Sequence, residues 1–415
     1  MTAPSYPQRV TEDDSSSRPS DVSDCQPVAH VPLWLLALFT FSGTLAMHIF
    51  VPALAMAGQE LHAGNGAMQM TVSLYIIGLA VGQLIYGPLS DRYGRRRVLM
   101  VGLVIYTAAG LAAALAPDVY ALIAARLFQA LGGCAGLVLG RAIVRDTAAP
   151  AEAAKRLALM SLMVTVAPGV APIVGGAVAT WFGWRTVLFA MCGLGVANFI
   201  LAWRLLPETG SALARVTTAT LMRHYRGLLA SRKFLGYAIG GGCATTSMFA
   251  FIASAPFIFV HELNRPVDEV GLYLAVLVSG VWLGSMVTSR LIGKVPMYRV
   301  MVAGNALSAT VGVLFLGLVL TGHAAVTPIV VLMFFYTLGC GMAGPISLTL
   351  AVSVNPQVIG SASGLYGALQ MAVGAFCTAL AGVGASPTLS TALVLAGAGL
   401  IGQFLFWTAG RMRAA

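Results

Sequence analysis

Twelve apolar runs, each about the length of a membrane-crossing helix, take up most of this 415-residue chain. Crossing the hydrocarbon core of a bilayer takes about 20 predominantly apolar residues in helical conformation. The runs lie near 32–56, 68–90, 97–116, 119–141, 157–181, 184–206, 234–260, 269–292, 298–320, 326–352, 358–383 and 387–410. Only 9% of the residues are charged, against about 25% in an ordinary soluble domain. A water-facing surface cannot be built from so few charges, so most of the surface must face lipid. The fold class that follows is an all-α polytopic membrane protein with twelve transmembrane helices.

The runs are joined mostly by short connections, with one exception. Residues 207–232 open on Pro207-Glu208-Thr209-Gly210 and carry Arg215, Arg223, Arg226 and Arg232. This basic linker divides the chain into six-helix bundles over 31–206 and 233–411, an organisation typical of transporters made of two related halves. Residues 1–30 are polar, acidic and rich in Ser and Pro, and include Thr11-Glu-Asp-Asp-Ser-Ser-Ser17. They read as a disordered tail rather than a cleavable signal peptide.

The charge balance fixes the expected topology. Twenty-four Lys and Arg against 14 Asp and Glu give a net charge of +10, and basic residues collect in cytoplasmic loops. With both termini cytoplasmic, 21 of the 24 fall on the inner side, Arg185 and Arg265 fall outside, and Arg126 lies within the fourth run. The basic residues are scattered between apolar runs and form no patch, which argues against nucleic acid as a partner. Cys134, Cys192, Cys243, Cys340 and Cys377 sit inside apolar runs with no Cys-x-x-Cys pair, so they read as packing residues. His30, His62, His224, His261 and His323 are far apart and show no metal-ligand spacing. Neither metal nor cofactor is expected.

Three motifs narrow the class. Between the second and third runs the chain reads Gly87-Pro-Leu-Ser-Asp91-Arg92-Tyr-Gly94-Arg95-Arg96-Arg97. Glycines at both ends permit a tight loop and close helix approach, and Asp91 offers the arginines a carboxylate. The fourth run holds Arg126-Leu-Phe-Gln129-Ala-Leu-Gly132-Gly133 and ends Arg141-Ala-Ile-Val-Arg145-Asp146. The fifth reads Ala167-Pro168-Gly-Val-Ala171-Pro172-Ile-Val-Gly175-Gly176, where prolines bend a helix and paired glycines admit a neighbour closely. Together these resemble the signature loop, the second motif and the antiporter motif of the major facilitator superfamily. Between the eighth and ninth runs Ser289-Arg290-Leu-Ile-Gly293-Lys294 keeps only the basic residues and a glycine of a second signature loop.

Finer detail resembles the Bcr/CflA group of drug-resistance exporters over residues 31–411. The matching segments are Thr44-Leu-Ala-Met-His48-Ile-Phe-Val-Pro52-Ala-Leu54, Met248-Phe-Ala-Phe251-Ile-Ala-Ser254-Ala-Pro256-Phe257 and Gly360-Ser-Ala-Ser-Gly364-Leu-Tyr-Gly367. The resemblance implies a multidrug antiporter of the cell inner membrane, not an enzyme. It implies gating roles for Gly87, Asp91, Arg92, Gly94, Arg95, Arg145, Asp146, Pro168, Pro172, Gly175 and Gly176. Members of the group usually carry an aspartate where this chain has His48.

That departure matters because every one of the 14 acids lies in the tail, in a loop or at the end of a run. The ionisable groups at membrane depth are His48, eight residues from the outer end of its run, and Arg126, eight residues from Asp118, or about 12 Å deep at 1.5 Å per residue. An ionised arginine facing lipid costs about 3 kcal/mol or more, so both side chains are expected to face one water-filled central cavity. His48 is then the candidate for proton coupling or substrate contact. A guanidinium stays ionised, so Arg126 reads as an anchor of the cavity. Gln129, Tyr75, Tyr237, Phe249 and Tyr336 are candidate cavity contacts.

A cavity without carboxylates favours neutral, zwitterionic or anionic cargo over organic cations. Secondary-active efflux of a small organic molecule by a proton-coupled monomer is the leading expectation. Uptake or facilitated exchange of a metabolite by the same fold is the alternative. No Gly-x4-Gly-Lys-Ser/Thr loop for a nucleotide is present.

Overall fold

A lipid-embedded backbone must satisfy its own N–H and C=O groups, and a helix does so within one segment. The computed structural model describes residues 31–148, 150–209, 218–355, 358–384 and 386–412, and among these helices account for nearly all of the chain. The segment 1–30 and the linker residues 210–217 lie outside the described residues.

The first half comprises α1 (Leu33–Glu60), α2 (Asn65–Tyr93), α3 (Arg95–Ala114), α4 (Val119–Thr147), α5 (Pro150–Phe182) and α6 (Trp184–Leu205). A short helix, α7 (Thr218–Ala230), lies in the basic linker. The second half comprises α8 (Arg232–Glu262), α9 (Val267–Leu291), α10 (Met297–Leu320), α11 (Val326–Val352), α12 (Ile359–Ala381) and α13 (Pro387–Arg411). Eleven of these are long and apolar enough to span a bilayer, and α5, 33 residues long, supplies the twelfth span. α1 passes through one 3-10 turn at Val51–Ala53, and α8 ends in a π-helical turn at Phe257–Glu262.

The helices run past the apolar runs where charge begins. α4 continues from the expected 141 to Thr147, and α5 starts at Pro150 rather than 157. Helical hydrogen bonding does not stop where the hydrocarbon does, so the apolar stretch marks the membrane-embedded part of a helix and not its length.

Within the first half, α4 packs against α1, α2 and α3, while α5 packs on α1 and α6 on α3. In the second half, α11 packs against α8, α9 and α10, and α13 packs on α8 and α10. The halves meet along α2 with α12 and along α5 with α9. The second helix of each half therefore meets the fifth of the other, as a two-fold relation between the halves requires.

Two carboxylates repeat that relation at the end of the molecule opposite the Asp91 turn. Glu60, at the end of α1, accepts from Trp184 Nε1 (2.6 Å) and from Arg185 at the start of α6. Glu262, at the end of α8, accepts from the hydroxyls of Ser386 (3.0 Å) and Thr388 at the start of α13. In each half, one acid ties the first helix to the last.

In lipid no hydrophobic force separates helix from solvent, so helices associate through close backbone approach at small residues. α1 shows this on two sides. A Cβ on Gly43 would lie 2.8 Å from the carbonyl oxygen of Gly133 on α4, and one on Gly175 of α5 would overlap the carbonyl of Ile49. By contrast, a Cβ on Gly397 of α13 meets nothing within 4 Å.

Gly175→Ala is therefore expected to lower the midpoint of thermal unfolding in detergent by several degrees, because α1 and α5 must separate. Gly397→Ala is expected to leave it unchanged or raise it by the helix propensity gained, up to about 1 kcal/mol. A fluorescence-monitored melt of both variants beside the parent checks the pair.

Candidate functional site

His48 lies on the seam between the halves. Its ring faces Phe249 of α8 with centroids 6.0 Å apart and planes tilted by 57°. The imidazole is 2% exposed, and its Nδ1 has no hydrogen-bond partner. Nearby, Gln69 of α2 donates from Nε2 to Ser254 Oγ of α8 at 3.0 Å, a buried polar bond between the halves. Gln69 Oε1 is unpartnered and lies 2.7 Å from where a Cβ on Gly382, just past α12, would fall. The His48–Phe249 and Gln69–Ser254 contacts are thus two buried links between the halves.

Arg126 is placed differently from its expected position beside His48. The guanidinium is fully buried inside the first half. It donates to Gln129 Oε1 at 2.7 Å and to the Ala46 carbonyl at 2.9 Å, and lies over the rings of Tyr75 (4.2 Å) and Phe50 (5.3 Å). Tyr75 is fixed in turn by donating to the Gly43 carbonyl at 2.8 Å.

Helical period explains the discrepancy. At 3.6 residues per turn, Ala46 and Phe50 share a face of α1, while position 48 is turned roughly 160° from both. The imidazole and the guanidinium therefore share a depth but have α1 between them, so the expectation of one common aqueous cavity is corrected. Arg126, Gln129 and Tyr75 form a buried cluster of hydrogen bonds and cation–π contacts. Such contacts let a cation be buried against neutral acceptors and ring faces.

The remaining aromatic candidates are also enclosed. Tyr336 on α11 shares a 2.8 Å hydrogen bond with Ser247 of α8, inside the second half. Tyr237 is buried on α8. Of the six residues expected to surround a cavity, only Phe249 meets His48 at the seam.

The Asp91 turn forms a charge network at the opposite end. Arg95 pairs with Asp91 (2.6 Å) and with Asp146 of α4 (2.9 Å), and it donates to Ser90 Oγ. Arg92 stacks on Tyr93, 5.2 Å from the ring centroid. Gly94 has φ +95°, a conformation L side chains rarely adopt, and the Glu208 carboxylate fills the place of its missing Cβ at 2.6 Å. Glu208 also accepts from the Arg96 N–H at 3.3 Å, so it places a negative charge at the amino end of α3, where the helix dipole favours one. The reduced loop of the second half keeps the same device, since Gly293 has φ +88°.

The motif glycines and prolines are not equivalent. A Cβ on Gly87 meets nothing within 4 Å, so Gly87 makes no close helix approach in this conformation. It lines a cavity of ≈310 Å³ between the halves, with Asp91, Arg95, Arg141, Arg145, Tyr225 and the first turn of α12. On α5 only Gly175 requires its lack of a side chain, because a Cβ on Gly176 would sit 3.6 Å from Pro52, an ordinary contact. The carbonyl of Pro172 lies 2.6 Å from where a Cβ on Gly271 of α9 would be, and α5 runs unbroken through both Pro168 and Pro172.

Sequence reasoning missed Gln69, Ser254 and Glu208. Gln69 stands at the margin of an apolar run and Ser254 inside one, and single polar residues in such places are too common to single them out. Glu208 is far from Gly94 in the chain.

The family follows from this fold and from the match to known proteins. Residues 36–378 match the model of the Major Facilitator Superfamily. The multidrug transporter MdfA of Yersinia pestis is 27% identical over 334 residues, covering 80% of this chain and 82% of that one. A bicyclomycin resistance protein homolog of Haemophilus influenzae is 24% identical, covering 83% and 87%. The crystal structure of a bacterial homologue of the human lysosomal transporter Spinster, inward-facing and unoccupied, superimposes with a TM-score of 0.73 over 93% of this chain and 98% of that one, at 13% identity.

The chain belongs to the major facilitator superfamily: it is a multi-pass membrane transporter and not an enzyme. Relatives named as a multidrug transporter and as a bicyclomycin resistance homolog are among the superfamily members it is similar to.

Removing the Arg126 guanidinium would leave the Ala46 carbonyl and Gln129 Oε1 buried without their donor. Arg126→Met is expected to destabilise the first half by about 2 kcal/mol, the usual cost of losing hydrogen bonds to a charged group. Arg126→Lys should recover only part, since an ammonium cannot reproduce the planar fork. Thermal melts of the purified variants measure both.

Proposed function

We propose that the chain exports a small organic molecule across the cell inner membrane by alternating access, exchanging it for protons, as a monomer with both termini in the cytoplasm. The observation that carries the coupling part is His48, a buried imidazole with a free Nδ1 at the seam where α1 meets α8. Of the common side chains, an imidazole is the one that gains or loses a proton between pH 5 and 8 without large perturbation. At this seam, protonation would charge a group packed against Phe249 in a closed interface, which disfavours closure. When the seam opens, water reaches the ring and the charged form becomes tolerable. Protonation and opening at the Glu60 end are then linked, as proton-driven exchange requires.

The direction and cargo rest on the relatives named as a multidrug transporter and a bicyclomycin resistance homolog. The topology rests on the basic residues, whose clusters at the Asp91 end give that end the cytoplasmic side. The Glu60 end is then the outer one. The Asp91–Arg95–Asp146 network and the glycine contacts of α5 are the proposed gating elements.

The test is accumulation of a fluorescent drug in inside-out vesicles under an imposed pH gradient. His48→Ala is expected to abolish gradient-driven accumulation, while substrate exchange without a gradient survives. His48→Asp, which restores a titratable group, should recover part of the coupling with its pH dependence shifted toward acid. Full accumulation by His48→Ala would refute the coupling role. In the same vesicles, neutral and anionic compounds are expected to be carried in preference to quaternary ammonium dyes.

A further inference from the structure

The ≈310 Å³ cavity at the Asp91 end contains two cations that pair with neither Asp91 nor Asp146. Arg141 and Arg145 stand one turn apart on α4 and both line the cavity. The neighbouring carboxylates are engaged elsewhere: Asp91 and Asp146 both pair with Arg95. Among the described residues neither Arg141 nor Arg145 takes part in an ion pair. Like charges at this spacing repel each other on a helix. A helix dipole favours cations near a carboxyl end, but its effect is confined to the last turn, where Arg145 lies and Arg141 does not.

The rest of the lining is rich in hydrogen-bond donors. Tyr225 of α7 and Ser361 and Ser363 of α12 contribute hydroxyls, and the first turn of α12 has no side-chain cap on its N–H groups. Two unpaired guanidiniums, three hydroxyls and a helix amino end converge on one chamber between the halves. That chemistry suits an oxyanion, a carboxylate or phosphate group held by forked, charge-assisted hydrogen bonds.

We propose that Arg141 and Arg145 form an entry-side recognition site for the anionic group of the transported molecule. The inference rests on the export reading above and narrows its cargo to organic anions and zwitterions. A molecule entering from the Asp91 end meets this chamber before the seam at His48. Occupancy neutralises the arginine pair between α4 and the amino end of α12, so a bound anion draws the two halves together at that end. The same chemistry could be met by the headgroup of an anionic lipid, which the test separates.

The experiment measures binding to the purified full-length protein in a neutral detergent, with 1-naphthoate as probe and 1-naphthamide as its uncharged counterpart. Naphthoate is expected to bind at least tenfold tighter than naphthamide, to weaken as salt is raised, and to be displaced by inorganic phosphate. Arg141→Gln and Arg145→Gln should each weaken naphthoate roughly tenfold, the loss of one charged hydrogen bond, and leave naphthamide unchanged. Arg141→Lys should fall between. Size-exclusion profiles establish that the variants are folded, and the salt and phosphate measurements on the parent protein stand even if one is not.

Equal affinity for the two probes, or naphthoate binding that ignores both arginines, would overturn the proposal. So would nanodiscs in which phosphatidylglycerol, but not phosphatidylcholine, blocks naphthoate, since the site would then belong to a lipid headgroup. Binding is measured without a gradient, so loss of proton coupling in His48→Ala leaves the naphthoate result standing. A failure of the export reading is seen separately, in the vesicles.

Discussion

Close approach of helix backbones is the constraint on which the architecture depends. With lipid outside and apolar side chains inside, burial alone does not tell a helix which face to present. The contacts that decide it are those where a missing side chain lets one backbone rest on another, such as Gly43 on Gly133 and Gly175 on the Ile49 carbonyl. Both fall on α1, which is thereby held between α4 and α5 with one face left for α8. His48 occupies that remaining face because the others are taken.

The polar groups of the interior follow the same logic. Arg126 is tolerated in the first half because α1 is close enough to lend it the Ala46 carbonyl, and because Gln129, Tyr75 and Phe50 supply an acceptor and two ring faces. The acids sit where water reaches them and serve as fasteners: Glu60 and Glu262 tie first helices to last, and Glu208 caps the turn at Gly94. Charge at the Asp91 end is divided between a closed network around Arg95 and the free pair Arg141 and Arg145. The first is proposed to gate and the second to recognise.

Much of this is legible in the sequence. Apolar run length gives the spans, because the bilayer thickness is fixed, and α11 matches its run at 326–352 to the residue. The left-handed glycine at 94 and the Asp91–Arg95 pairing could be anticipated from local spacing, since both are settled within one turn of chain. The site was less legible. Counting acids singles out His48 as an embedded titratable group, but the residue its ring meets is Phe249 and not Arg126. Residue count along a span says nothing of facing, which depends on which neighbours a helix has.

What the sequence determined by itself was everything that depends on distance along the chain: span number, lengths, the turn chemistry and the family motifs. Only the tertiary structure decided which helix faces meet, that α1 separates the imidazole from the guanidinium, and that Arg141 and Arg145 look into a chamber shared by both halves. The reason is physical. Run length is measured against the bilayer, a ruler common to every span, while the rotation of each helix about its axis is fixed by glycine contacts with partners more than 80 residues away in the chain, as between Gly43 and Gly133.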